Sequence, residues 1–254
     1  MNTGDTSVTA TALTAARRSD AGTVRLTSRD IAGLVLAGDM HGAPCDLLAG
    51  YLDVREDRLR SIAARWRKAG YAETGRLGPG PAWVWLTRSG LAVTGQGFAA
   101  TPPSLARLAH LRAVLAVRLS LQAGDAWDAG QAHWRSERRL RAAMSGKVPS
   151  GHVPDGEVSW GDVPGSPYPG ERWAIEAELT PKPLARTAAI MRGLLARTTG
   201  YHPGAAPAAE PRYARVVYLT APPARSVTTR AAATLPPALA ARVTIRDLPA
   251  GAIL

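Results

Sequence analysis

Glu176 and Glu178 stand two residues apart in the run WAIEAELTPK, from Trp173 to Lys182, which otherwise reads as a buried β-strand. Residues two apart on a strand share a face. The two carboxylates therefore project together, while Ile175, Ala177 and Leu179 pack on the opposite face. Carboxylates side by side repel and raise each other's pKa, and a cation removes that cost. Asp155, in HVPDGEVSW, falls at the start of the preceding strand. Carboxylates from adjacent strands are what a hard divalent ion such as Mg²⁺ or Mn²⁺ requires. Lys182, just beyond the strand, is placed to meet a substrate phosphate or the attacking water. The expected chemistry is metal-assisted phosphodiester hydrolysis, in which the ion polarises the phosphate and lowers the pKa of a bound water. Asp155, Glu176 and Glu178 are the expected metal ligands and, with Lys182, the expected catalytic residues. Arg186, one helical turn after Lys182, is a further candidate phosphate contact, with plain surface as its other reading. His133 and His152 are candidate metal neighbours. Plainer readings stand beside all of these: Asp155-Gly156 as a turn, the glutamate pair on a solvent face, Lys182 as a helix-start residue, and His133 and His152 as ordinary polar residues.

The elements that must hold these residues follow from periodicity. SLARLAHLRAVLAVRLSLQAG predicts a long helix with Leu108, Leu111, Leu115 and Leu119 on one side. After AHWRSERRLR come strands at HVPDGEVSW and RWAIEAELT, a helix at KPLARTAAIMRGLLART, and a strand at RYARVVYLTAP. A broken helical stretch and a short strand, VTIRDL, close the order. This predicts an α/β layer around a mixed sheet.

The amino-terminal part reads differently. Residues 1–24 are rich in Thr, Ala and Gly without a period and are expected to be a disordered tail. TSRDIAGLVLAGDM opens on a capping residue, Thr27 or Ser28, and APCDLLAGYL is a short second helix. In REDRLRSIAARWRKAG, Leu59, Ile62, Ala63 and Trp66 form one buried stripe, and Gly70 ends the helix. Two β-like runs then flank the turn GPGP, Gly78–Pro81. Three helices followed by a hairpin is the winged helix-turn-helix order, in which the third helix enters the major groove. Between Arg55 and Arg88 eight basic residues oppose three acidic ones, a net of +5. Phosphate contacts need such a field. Arg55, Arg58, Arg60, Ser61, Arg65, Lys68, Arg76 and Arg88 are the expected DNA-binding residues. Some winged helices bind protein instead, so a homodimer or another protein partner stays open beside double-stranded DNA.

The Gly/Pro-rich stretch around 97–104 divides the chain into a winged-helix domain, 25–96, and an α/β domain, 105–254. The whole chain of 254 residues carries a net charge of +11, which favours a polyanionic partner. Its single cysteine, Cys45, excludes an internal disulfide and a Cys-rich zinc site. No apolar run approaches the roughly 20 residues of a membrane span, and no secretory signal is visible, so the expected address is cytoplasmic. Phosphate-loop and dinucleotide fingerprints are absent.

The carboxyl-terminal motifs resemble the PD-(D/E)XK nuclease superfamily, through Pro154-Asp155 followed by Glu176, Ala177 and Glu178. That resemblance implies a restriction-endonuclease-like fold, with Asp155 and Glu176 as metal ligands and Glu178 at a position usually held by a lysine that orients or activates water. Glu178 departs from that pattern, and Lys182 is placed to supply the displaced charge. Glu137 matches the extra acidic residue often contributed from upstream. The stretch from His133 to Pro222, through WRSERRLR, HVPDGEV, WAIEAELTPKPLART and ARVVYLT, is also similar to the replication-relaxation family of actinobacterial plasmids, where a winged helix precedes a nuclease-like domain. The function implied is DNA hydrolysis in a mobile-element, plasmid or defence setting. The alternative is a non-catalytic DNA-binding regulator or replication accessory protein on an inactive nuclease fold.

Overall fold

A computed structural model describes residues 25–124, 131–144, 151–197 and 211–253. The tail expected at 1–24 lies outside the described residues, as does nearly all of the loop expected at 200–211.

The amino-terminal half contains α1 (Ser28–Asp39), β1 (Ala43–Pro44), α2 (Cys45–Tyr51), α3 (Glu56–Lys68), β2 (Ala72–Gly75), β3 (Trp83–Leu86) and α4 (Arg88–Val93). Thr27 caps α1 reciprocally with Asp30, whose backbone N–H donates to the Thr27 hydroxyl while its carboxylate accepts from the Thr27 N–H. Asp30 also accepts from Trp66 Nε1 at 2.8 Å and Arg65 at 2.5 Å, which ties α3 to the start of α1. Leu59, Ile62, Ala63 and Trp66 are all buried, as their spacing predicts. Gly70 has φ +75, and the Tyr71 N–H reaches back to the Trp66 carbonyl, so the chain reverses directly after α3. The three strands pair antiparallel in the order β1–β3–β2. β1 has only two residues, too few to show a period in the sequence.

The second half contains α5 (Leu108–Gln122), β4 (Ala132–Ser136), α6 (Glu137–Ala143), β5 (Gly156–Trp160), β6 (Arg172–Glu178), α7 (Leu184–Leu195), β7 (Arg215–Thr220), α8 (Pro222–Ala233), α9 (Pro237–Ala240) and β8 (Val243–Asp247). Its five-stranded sheet runs β4–β5–β6–β7–β8, with antiparallel pairing from β4 to β6 and parallel pairing from β6 to β8. The mixed α/β class expected from the sequence is what the chain adopts. Helices lie in the two parallel connections, as such crossovers require.

Strand β6 shows how the sheet divides the core. Trp173, Ile175 and Ala177 join the apolar cluster on the α5 side, whereas Ala174 packs with Ala188, Met191, Val216 and Tyr218 under α7 and α8. The first cluster also contains Leu34, Leu59 and Trp66, so apolar packing runs unbroken from the amino-terminal helices through α5 to the sheet. The stretch 97–104 is irregular, but it does not interrupt that packing.

Helix α5 is buried over the whole of Leu111–Arg118, not merely along a leucine stripe. Two arginines inside it are matched by acids from the amino-terminal half. Arg112 donates two bonds to Asp46, at 2.9 and 2.6 Å. Arg118 donates to Asp39 at 2.6 Å, where Ser136 Oγ and Arg139 Nε also converge. A buried guanidinium needs such a partner, because an isolated charge in the interior is costly.

Gly156 lies beneath the Trp134 ring, and a Cβ there would stand 2.2 Å from ring carbons. The glycine after Asp155 therefore admits the tryptophan. Gly156→Ala should lower stability by about 1–3 kcal/mol, the usual range for overpacking. Urea unfolding checks this, and an unchanged midpoint would refute the packing argument.

Candidate functional site

Asp155 sits one residue ahead of β5, where the β5–β6 ladder ends at the pair Gly156–Ile175. Its Oδ2 accepts the Ala177 backbone N–H at 2.9 Å, so the side chain takes over where backbone pairing has stopped. Its Oδ1 lies 2.8 Å from His110 Nε2 on α5. Burial pushes the Asp155 carboxyl up, but the His110 bond and charge outweigh it and hold the group below its ordinary range. Burial likewise opposes protonation of His110, and the bond to Asp155 overcomes it. The two are hydrogen-bonded at the junction of α5 and the sheet.

Glu176 and Glu178 share the face of β6 opposite Ile175 and Ala177, as expected, and both are buried rather than solvated. Glu176 Oε1 is 2.7 Å from His152 Nε2. Burial, reinforced by the Asp155 charge, pushes the Glu176 carboxyl up to about 7 despite the opposing effect of His152. Glu178 Oε2 is 2.6 Å from Lys182 Nζ, so the lysine beyond the strand does reach back to it. Tyr218, paired in register with Glu176 on β7, is buried among these acids. Its hydroxyl has no hydrogen-bond partner among the described residues. Burial and the Glu176 charge raise its pKa further above the phenolic range.

The expected coordination sphere of Asp155, Glu176 and Glu178 is not preassembled. Among the described residues, no three His, Cys, Asp or Glu side chains are grouped closely enough to hold a metal ion. His110, His152 and Lys182 each lie within 2.8 Å of a different one of the three carboxylates. The Asp155 charge still bears on Glu176, second to burial.

Glu137 begins α6 and lines a small cavity with Asp39, His41, His110, Arg138 and Asp155. The cavity's volume, about 20 Å³, admits roughly one water. Burial raises Glu137, but Arg107 at 2.8 Å and Arg141 outweigh it and hold the carboxyl below its ordinary value. It is thus beside Asp155 but already committed to two arginines. In the same cavity, burial and the Arg138 charge push His41 down to about 4. Arg186 is exposed on the first turns of α7.

The candidate DNA contacts divide. Arg58, Arg60, Ser61 and Lys68 lie on the exposed side of α3, and Arg76 and Arg88 are exposed at the hairpin loop and the start of α4. Arg55 is exposed and pairs with Asp57 at 3.2 Å. Arg65 is 41% exposed but bonded to the buried Asp30, which makes it partly structural.

Sequence reasoning missed His110 and Tyr218, and treated His152 as ordinary. His110 is 45 residues from Asp155 and on a helix, so no local pattern links them. His152, three residues before Asp155, carried the one available signal. Compared with protein families, curated proteins and solved structures, the chain matches none. No helix among the described residues is long and apolar enough to cross a membrane.

Proposed function

We propose that the protein binds double-stranded DNA through its amino-terminal half and hydrolyses phosphodiesters at Asp155 and Glu176 in a divalent-ion-dependent, nuclease-like second half. The observation that carries this reading is the coupled acid pair: two buried carboxylates from neighbouring segments of the sheet, one pushed up to about 7 partly by the other's charge. Such a pair is relieved by an external cation. Asp155 and Glu176 would hold Mg²⁺ or Mn²⁺, and that ion would supply phosphate polarisation and an acidified water. The protein's own groups do the rest. His110 and the Ala177 N–H fix the Asp155 carboxylate, and His152 exchanges a proton with Glu176. Lys182 offsets Glu178, whose position the nuclease-like pattern gives to lysine. The order α1, α2, α3 and hairpin β2–β3, with basic residues on the exposed side of α3, supports the winged-helix reading.

One observation favours the non-catalytic alternative. Every acid of the expected trio already has a basic partner within 2.8 Å. Supercoiled DNA incubated with the protein and Mg²⁺ or Mn²⁺ separates the two. Nicking or linearisation that chelation stops is the expected result. Tight DNA binding with no cleavage in either metal would leave the regulator.

The binding half makes its own prediction. In fluorescence titrations with a duplex, affinity should fall steeply with salt, and Arg58→Ala/Arg60→Ala should reduce the slope of log K against log salt by about 2, roughly one per phosphate contact. An unchanged slope would remove α3 from the interface.

A further inference from the structure

On the face of the sheet that carries Glu176, the apolar cover made by α7 and α8 reaches, among the described residues, β6, β7 and β8 only. Strands β4 and β5 present a different surface there. Its centre is Glu157, whose side chain is 0% exposed, and three arginines converge on it from separate segments. Arg135 on β4 reaches Glu157 at 3.3 Å, Arg172 on β6 at 3.5 Å, and Arg212, just before β7, at 2.8 Å. One carboxylate among three guanidinium groups leaves a local excess of two positive charges. The side chains of Arg135, Arg172 and Arg212 remain 40%, 36% and 25% exposed. Each guanidinium has five N–H donors, and Glu157 can use only a few of the fifteen or so together. Glu157 thus gathers and orients the fork-shaped donors instead of cancelling them, an arrangement suited to phosphate oxygens.

The position is informative. Glu157 pairs in register with Ala174, two residues along β6 from Glu176 on the same face. That is roughly 7 Å at the rise of a strand, about two base-pair steps along the axis of duplex DNA.

We propose that the shelf formed by Arg135, Arg172 and Arg212 seats the phosphodiester backbone of the strand delivered to Glu176. This rests on the DNA-hydrolysis reading and extends it, because the candidate contacts on α3 belong to the other half of the molecule. The shelf fixes the backbone beside the reacting carboxylates, and it does so without reading sequence.

The test uses the full chain and a labelled duplex. Arg135→Ala/Arg172→Ala should lower affinity at least tenfold at moderate salt and reduce the salt slope by about 2. The Arg135→Lys/Arg172→Lys protein should keep most of the slope. Removing two arginines around a buried carboxylate risks unfolding, so a second measurement uses the unaltered protein. DNA should protect Arg135 and Arg172 from an arginine-selective dicarbonyl reagent, read by mass spectrometry, while Arg225, paired with Asp247 beyond the sheet's far edge, stays reactive. Unchanged modification at both shelf arginines in the DNA complex overturns the proposal, as does a folded double-alanine protein with unchanged affinity and slope. These outcomes presuppose that the unaltered protein binds DNA. If it does not, the parent reading fails first, and the shelf falls with it.

Discussion

Glu176→Gln should lower metal-dependent DNA cleavage about 100-fold or more while making the folded protein more stable above neutral pH. The loss follows from the proposed role of Glu176 as a metal-holding carboxylate, since several kcal/mol of charge stabilisation is at stake and about 3 kcal/mol is a factor of about 100. The gain follows from linkage. Burial and Asp155 push Glu176 from 4.5 up to about 7. A raised carboxyl pKa means that the folded state holds its proton more tightly than the unfolded chain does. The associated stability is full below pH 4.5 and is lost as pH rises toward 7. Within that window the slope is about 1.4 kcal/mol per pH unit for one group. Glutamine cannot ionise, so this downward slope should disappear in the variant. Urea unfolding from pH 4.5 to 8, run beside cleavage assays at fixed Mg²⁺, checks both halves. Cleavage that survives the substitution sinks the assignment of Glu176. A decline in stability that persists unaltered sinks the account of its burial. Loss of cleavage accompanied by higher stability cannot be put down to misfolding.

The second large effect is structural. Asp39 accepts from Arg118, Arg139 and Ser136, and Arg118 lies inside the buried helix α5. Asp39→Ala strands that guanidinium without its acid, and breaking a buried pair from one side costs about 3–5 kcal/mol. Because apolar packing is continuous from Leu34 through Leu115 to Val217, the loss should appear as one cooperative transition at lower urea, reported equally by both halves. Tryptophans serve as probes, with Trp66 in α3 and Trp134 and Trp173 in the sheet. Two separated transitions, or an unmoved midpoint, would show that α5 does not join the halves in this way. The same substitution should weaken cleavage indirectly, since α5 also carries His110 to Asp155.

Local signals in the sequence determined a good deal. Thr27 with Asp30, the stripe Leu59–Ile62–Ala63–Trp66 and Gly70 after α3 are short-range devices, and each acts within a few residues of chain. The strand RWAIEAELT was legible for the same reason: alternation puts Glu176 and Glu178 on one face whatever lies beyond. Glycine at 156 was visible too, though its purpose was not, because Trp134 arrives from another strand.

Tertiary structure alone decided which charges meet. Nothing near Asp155 in the sequence announces His110, and nothing near Arg118 announces Asp39, since these pairs are 45 and 79 residues apart. Chain topology creates them, by laying α5 between the amino-terminal helices and the sheet. It also decided that α5 is buried all round from Leu111 to Arg118, where a leucine stripe indicated one side only. The acidic trio shows the limit most clearly. Residue spacing fixes which way a carboxylate points, but its charge state and partner depend on desolvation and on neighbours brought from elsewhere. So spacing put Glu176 and Glu178 on one face, and folding gave each acid its own base: an imidazole for Asp155, another for Glu176, and an ammonium for Glu178.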